Sequence, residues 1–228
     1  MKPCAAPGVP KPVDPVVYIV DDEPAITQSL VALFASVGLA AKAFHSVQAF
    51  RENDRDDRPA CLLLDVRLRD GNGLDLQQLL QSDGDALPVI IMTGHGDIPM
   101  TVRAMKAGAL DVLTKPFNDQ DLLDCTRLAL QRDGERRANE QAMQGLVQRY
   151  QSLSQRERQV MEHATAGLMN KQIADRLGIS DITVKIHRGN AMRKMQARSF
   201  AQLVTMAGQI DARGWPPVAG RPRLTARG

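Results

Sequence analysis

The sequence predicts a doubly wound, five-stranded parallel α/β sheet joined to a separate all-α domain of four helices containing a helix-turn-helix. Three observations carry that expectation. Through residue 131, β-rich runs alternate five times with helical patterns, the signature of a parallel sheet covered on both faces. From Leu153 onward the pattern is helical throughout. The charge is also divided: Val13 to Gly134 carries 11 Lys/Arg against 19 Asp/Glu, a net of −8, and Leu153 to Gly228 carries 13 against 5, a net of +8. An acidic half joined to a basic half suggests a module that handles cations or phosphate, attached to a binder of polyanions.

The elements follow in order. Residues 1–15 are rich in Pro, Ala and Gly and are expected to be disordered. Val16 to Val20 reads as the first strand, and Asp21-Asp22-Glu23-Pro24 follows it. Pro24 suits the first turn of a helix on which Ile26, Leu30, Leu33 and Val37 recur at helical spacing, with Gly38 at its C-terminal cap. Ala40 to Phe44 is a weaker second strand, and a short helix starts at about Val47. The third strand, Ala60 to Asp65, leads into Arg69-Asp70-Gly71-Asn72-Gly73, which reads as a loop, and a helix from about Leu74 to Ser82. The fourth strand, Pro88 to Met92, ends in Thr93-Gly94 and precedes a helix from about Pro99 to Ala107. Ala109 to Thr114 is the fifth strand, terminated by Lys115-Pro116.

A last helix starts near Asn118 and flows into a helical, charged linker over residues 132–152, with Leu122, Leu123, Leu128, Leu130, Ala138, Ala142, Leu146 and Tyr150 in approximate helical rhythm. The two domains therefore span 16–131 and 153–208. In the second, helices are expected at about Gln155–Thr165, Asn170–Leu177, Asp181–Met195 and Phe200–Ala207. Residues 209–228, a Gly/Pro/Arg tail, are expected to be disordered.

Several function classes recede on composition. No apolar run is long enough to span a bilayer, and the N-terminus lacks the apolar core of a signal peptide. Cys4, Cys61 and Cys125 are scattered and odd in number, which fits reduced thiols better than a disulfide framework or a metal site. The expectation is a cytoplasmic protein with no membrane partner.

Asp65 is placed as a site residue by the fold class. A buried parallel strand delivers the residue at its carboxyl end to the crevice where open α/β sheets bind ligands. Taken alone, such an aspartate is more often a turn or cap residue. Here Asp21, Asp22, Thr93 and Lys115 fall at the ends of strands one, four and five and should share the crevice. Three carboxylates cannot all stay ionised together unless a cation joins them, and Mg²⁺ is the hard ion that suits oxygen ligands. Lys115 adds a fixed positive charge, and the Thr93 hydroxyl can donate to an anionic oxygen. Together they describe a phosphoryl site with aspartate as nucleophile.

In order and spacing, Asp21-Asp22, Asp65 after an apolar strand, Thr93-Gly94 and Lys115-Pro116 resemble the receiver domains of response regulators, whose fold is CheY-like, over Val16 to Gln131. The resemblance implies that Asp65 accepts phosphate from a phosphohistidine on a sensor histidine kinase. It implies that Asp22, Asp65 and the backbone carbonyl of Arg67 hold Mg²⁺, with Asp21 assisting through water, and that Thr93 and Lys115 bind phosphoryl oxygens. The chain would then be no enzyme beyond removing its own phosphate. Two positions depart from the family pattern. Val112 replaces the aromatic usually found three residues before the lysine, so an aromatic rotor is not the switch. Arg69 stands where proline is often found, a change expected to affect only the loop.

In the second domain, Ala174, Gly178 and Val184 sit at helix-turn-helix offsets, and Ser180 suits an N-cap. On the following helix Val184, His187, Ala191, Met192 and Met195 can line the buried side, leaving Lys185, Ile186, Gly189 and Arg193 nearer the other. Leu153 to Val160, Gly167 to Ala174 and Thr183 to His187 resemble the LuxR/GerE type of DNA-binding domain. That implies base contacts from Lys185 and Ile186, and phosphate contacts from Asn170, Lys171, Thr183, Arg188 and Lys194. Gly189 stands where a contacting lysine is often found. His187 is expected to be a packed, hydrogen-bonded histidine, Arg156 and Glu157 a helix-start pair, and Arg213, Arg221, Arg223 and Arg227 a solvated tail.

As a whole the arrangement resembles the FixJ/StyR-like response regulators. It implies phosphorylation-driven homodimerisation, binding to a double-stranded operator, and transcriptional activation with RNA polymerase as a partner. Rival readings are an aspartyl-phosphate hydrolase, a small-molecule sensor, and a DNA binder with a vestigial receiver. Arg67 occupies the position of the hydrolase's second Asp, and the acidic crevice replaces a sensor's ligand domain. Val112 keeps the vestigial reading open.

Overall fold

The computed structural model of the protein describes residues 14–94 and 98–212. Most of the proposed lead-in and tail, with the four tail arginines, lies outside them.

Strands β1 (Val16–Val20), β2 (Ala40–Phe44), β3 (Ala60–Asp65), β6 (Val89–Thr93) and β7 (Asp111–Thr114) form one parallel sheet in the order β2-β1-β3-β6-β7. Between β3 and β6, two-residue strands β4 (Arg67–Leu68) and β5 (Gly71–Asn72) pair antiparallel. That segment was expected to be only a loop; a short ribbon rises from it because Leu68 is buried and needs its backbone paired.

The helices of this unit are α1 (Pro24–Ser36), α2 (Val47–Arg51), α3 (Gly73–Ser82) and α4 (Ile98–Lys106), with the start of α5 (Asp119–Gln151). Alternation along the strands decides which face each helix covers. Val17, Ile19, Leu63, Ile90 and Met92 meet Leu30 and Phe34 of α1 and Leu122 and Leu130 of α5. Val16, Tyr18, Leu62, Leu64 and Ile91 meet Phe50, Leu74, Leu80, Met100 and Ala104 on the other side. Val37, expected on the buried face of α1, is its exposed C-cap, and Gly38 takes the left-handed turn. The fifth strand starts at Asp111, two residues later than expected.

Helix α5 runs unbroken for 33 residues through Gly134 and Gly145, and the chain divides into two compact units after Ala138. Its apolar rhythm is two packing faces rather than one seam. Leu122, Leu123 and Leu130 are buried in the first unit, Leu146 and Tyr150 in the second, while Leu128, Ala138 and Ala142 are exposed. Asp133, fully buried at its side chain, fixes α5 to the sheet: its carboxylate accepts from the Ala60 amide (2.9 Å) and from Arg136 and Arg137.

The second unit adds α6 (Gln155–Thr165), α7 (Asn170–Leu177), α8 (Asp181–Met195) and α9 (Phe200–Ala212). Ser154 and Glu157 close a reciprocal capping box at α6, and Ser180 caps α8 through the Thr183 amide at 3.1 Å. Gly178 ends α7 at φ +65°, a backbone conformation that costs other residues more. Helix α9 passes Gly208 and continues into the segment expected to be disordered. Ile210 extends the Leu203–Ala207 series and is buried against Tyr150 and Met161.

Candidate functional site

Four strand ends build the crevice. Asp21 follows β1 directly and is fully buried, its Oδ1 accepting from the Glu23 amide at 2.9 Å. Asp65 closes β3 and is buried, its Oδ2 accepting from the Arg67 amide at 2.7 Å. Thr93 closes β6, also buried, and its carbonyl accepts the Lys115 amide at 2.7 Å, which holds the lysine at the same level of the sheet. Lys115 Nζ then reaches across to Asp21 Oδ2 and Asp65 Oδ1, each at 2.6 Å. The fold thus brings Asp21, Asp65 and Lys115 together, with Thr93 tied to Lys115 through its backbone.

Gly73 explains part of the geometry. A Cβ there would lie 2.2 Å from the Asp65 carbonyl oxygen and 3.0 Å from Leu64 Cγ, so α3 can begin this close to the Asp65 backbone only without a side chain. The Gly73 amide donates to the Val66 carbonyl at 3.0 Å, closing the ribbon loop under the crevice.

Burial pushes the Asp65 carboxyl above the usual carboxylate range and neighbouring Asp21 adds to that, against the opposing pull of Lys115. For Lys115, burial favours the neutral amine, but the two carboxylates outweigh it and raise the ammonium above its ordinary value. One lysine thus serves two buried carboxylates.

Asp22 takes a different partner. Its Oδ2 lies 2.9 Å from Arg69 Nε, so the loop substitution reaches the acid cluster instead of altering the loop alone. Among the described residues, no three His, Cys, Asp or Glu side chains are grouped as a metal site; Lys115 bridges Asp21 and Asp65, while Asp22 pairs with Arg69. The donor set itself, hard carboxylate oxygens with more negative charge than one lysine balances, fits a hard divalent cation. Val112 is half-buried and packs against the α3/α4 side of the core, in register with Ile91.

On α8, Val184, Ala191 and Met195 are fully buried. Lys185 is exposed and pairs with Asp181 one turn back at 2.9 Å; Ile186 is 57% exposed. Asn170 accepts from Arg188 at 3.2 Å, and Arg188 stacks over Phe200 at 4.2 Å. Lys171 is exposed, and Thr183 is half-buried with its hydroxyl on Ser180. Lys194 turns away from the outer face expected of a phosphate contact: its ammonium lies 2.6 Å from the buried Glu157 of α6. Glu157 is therefore both helix-start residue and ion-pair partner. His187 is half-buried, but its Nδ1 has no hydrogen-bond partner, contrary to the expectation of a bonded histidine. Sequence reasoning missed the exposed Ile182 and Met169, each 69% exposed, although Ile182 precedes Ile186 by one helical turn.

Comparison with known proteins agrees with this division. The family profile for the response regulator receiver domain matches residues 17–127, and that of bacterial regulatory proteins of the luxR family matches 151–207. Nodulation protein W of Bradyrhizobium diazoefficiens is 48% identical over 84% of this chain and 85% of its own. Response regulator protein TodT of Pseudomonas putida is 43% identical over 86% of each. The low-resolution structure of the response regulator StyR superposes with a TM-score of 0.80 at 43% identity, covering 86% of this chain and all of that one.

Proposed function

The chain belongs to the two-component response regulators that join a receiver to a LuxR-type DNA-binding domain, and from that premise we propose that phosphate on Asp65 switches its DNA binding. The observation that carries this reading is Lys115 Nζ at 2.6 Å from both Asp21 and Asp65. In the transfer, an Asp65 carboxylate oxygen forms a bond to phosphorus as the phosphohistidine N–P bond of a sensor kinase breaks. Mg²⁺, held by Asp22, Asp65 and the Arg67 carbonyl with Asp21 assisting, would neutralise charge developing on the phosphoryl oxygens. Lys115 and the Thr93 hydroxyl then hold those oxygens, and the pull of Lys115 on Asp65 is redistributed toward the phosphoryl group.

The receiver (16–131), helical linker (132–152) and DNA-binding domain (153–208) act in sequence. Phosphorylation favours a receiver state that pairs two copies along α4 and its neighbours. Ile98, Val102 and Met105 lie at i, i+4 and i+7 on α4 and are 80%, 44% and 48% exposed, which supports that face. The dimer binds a two-half-site operator, with Lys185 and Ile186 at base edges and Asn170, Lys171, Thr183 and Arg188 toward phosphates. In the cytoplasm it activates transcription with RNA polymerase.

Light scattering in Mg²⁺, with and without beryllofluoride, tests the switch. A dimer that forms with beryllofluoride in the wild type and not in Asp65→Asn is expected. An unchanged mass together with unchanged DNA affinity would favour the phosphorylation-independent alternative, to which the packed Val112 lends weight.

A further inference from the structure

We propose that Arg69 is a built-in competitor of the divalent cation: its guanidinium on Asp22 lowers the crevice's affinity for Mg²⁺ and must leave when the ion binds. The proposal rests on the reading of Asp22 as a metal ligand. Two of the three aspartates, Asp21 and Asp65, share Lys115 at 2.6 Å. Asp22 is met by a different cation, from the residue four positions beyond Asp65, at 2.9 Å. The Asp22 side chain is 17% exposed and that of Arg69 82%, so the guanidinium approaches from solvent and can withdraw without disturbing the core.

The ribbon holds it there. Arg67 pairs with Asn72 and Leu68 with Gly71, and the Gly73 amide closes on Val66, so Arg69 sits in a short, fixed turn over the acid cluster. A tethered cation is present at high local concentration. While it holds the Asp22 oxygen it offsets the charge a metal ion would use, and its own charge repels a divalent ion nearby. Because the guanidinium end of the pair is exposed, the pair is weak enough to be displaced. Arg69 therefore tunes the affinity and does not block it.

Titrating the full chain with MgCl₂ alone, followed by backbone amide NMR shifts around Asp65, tests this without any phosphoryl donor. Arg69→Gln and Arg69→Ala are expected to bind Mg²⁺ about two- to tenfold more tightly than wild type at low ionic strength. The gap should narrow in about 0.5 M KCl, where exposed charges are screened. Equal affinities, or weaker binding by the variants, overturn the proposal. So does a gap that salt leaves unchanged, which would point to a reshaped loop and not to charge. If no form binds Mg²⁺, the metal reading itself fails and this inference fails with it.

Discussion

The two units handle charge in opposite ways. In the receiver, Asp21 and Asp65 are drawn inside, each with an oxygen 2.6 Å from the Lys115 ammonium they share. On α8, Lys185 stands in solvent with only a neighbour one turn away. Buried charges are coupled, so a change at one is felt by all; exposed charges are screened and act nearly independently. The first arrangement suits a site that answers to a single bound charge, and the second suits a surface that sums many weak ionic contacts. Lys194 breaks the pattern, since it belongs to the recognition helix yet is spent inside, on Glu157.

The largest effect should come from Gly73→Ala. The added methyl would collide with the Asp65 carbonyl, and the unfolding free energy in urea should fall by about 3 kcal/mol. Phosphate incorporation should fall with it because Asp65 is displaced. Wild-type stability here would mean that α3 can shift freely and that the crevice is less tightly built than the 2.2 Å approach implies.

Lys194→Ala sharpens the contrast. The ammonium is partly exposed, so its loss should lower stability by only about 1 kcal/mol. The hydrogen bond from Lys194 is the largest cause of the lowered Glu157 pKa, against which burial works. A depressed carboxylate contributes stability above its unfolded pKa and loses it as pH falls through the folded one. The wild-type advantage should therefore be complete at neutral pH and vanish in acid below the ordinary glutamate range. An advantage that persists there would show that the lysine stem, not its charge, does the holding.

Lys185→Ala should be the mildest to the fold, within about 0.5 kcal/mol. Its DNA affinity should nevertheless drop about tenfold on a selected operator, measured at fixed salt. A variant that loses stability but keeps its affinity would reverse the comparison between the two lysines.

Much of this was legible in the chain. The strand cores are continuous apolar runs with no polar alternative, so Val16–Val20 and Ala60–Asp65 could be read to the residue. Strand ends in a doubly wound sheet converge, which assigns Asp21, Asp65, Thr93 and Lys115 to one edge of the sheet from the sequence alone. Gly178 and Ser180 announced their turn and cap through local chemistry alone.

What only the tertiary structure decided are the partners of long, flexible or short-range-ambiguous groups. Nothing local to Arg69 or Lys194 indicates that one reaches Asp22 and the other Glu157, because such side chains choose among partners brought near by distant segments. The i,i+3 and i,i+4 spacing of Asp133, Arg136 and Arg137 was visible, but not that the Ala60 amide would complete the cluster. Helix α9 ran past Gly208 because Ile210 found a buried place against Tyr150, and packing outweighs a single glycine's propensity. Sequence thus determined the sheet, the caps and the convergence of the site, through backbone periodicity and local chemistry. Which cation meets which carboxylate was settled by contacts between residues far apart in the chain.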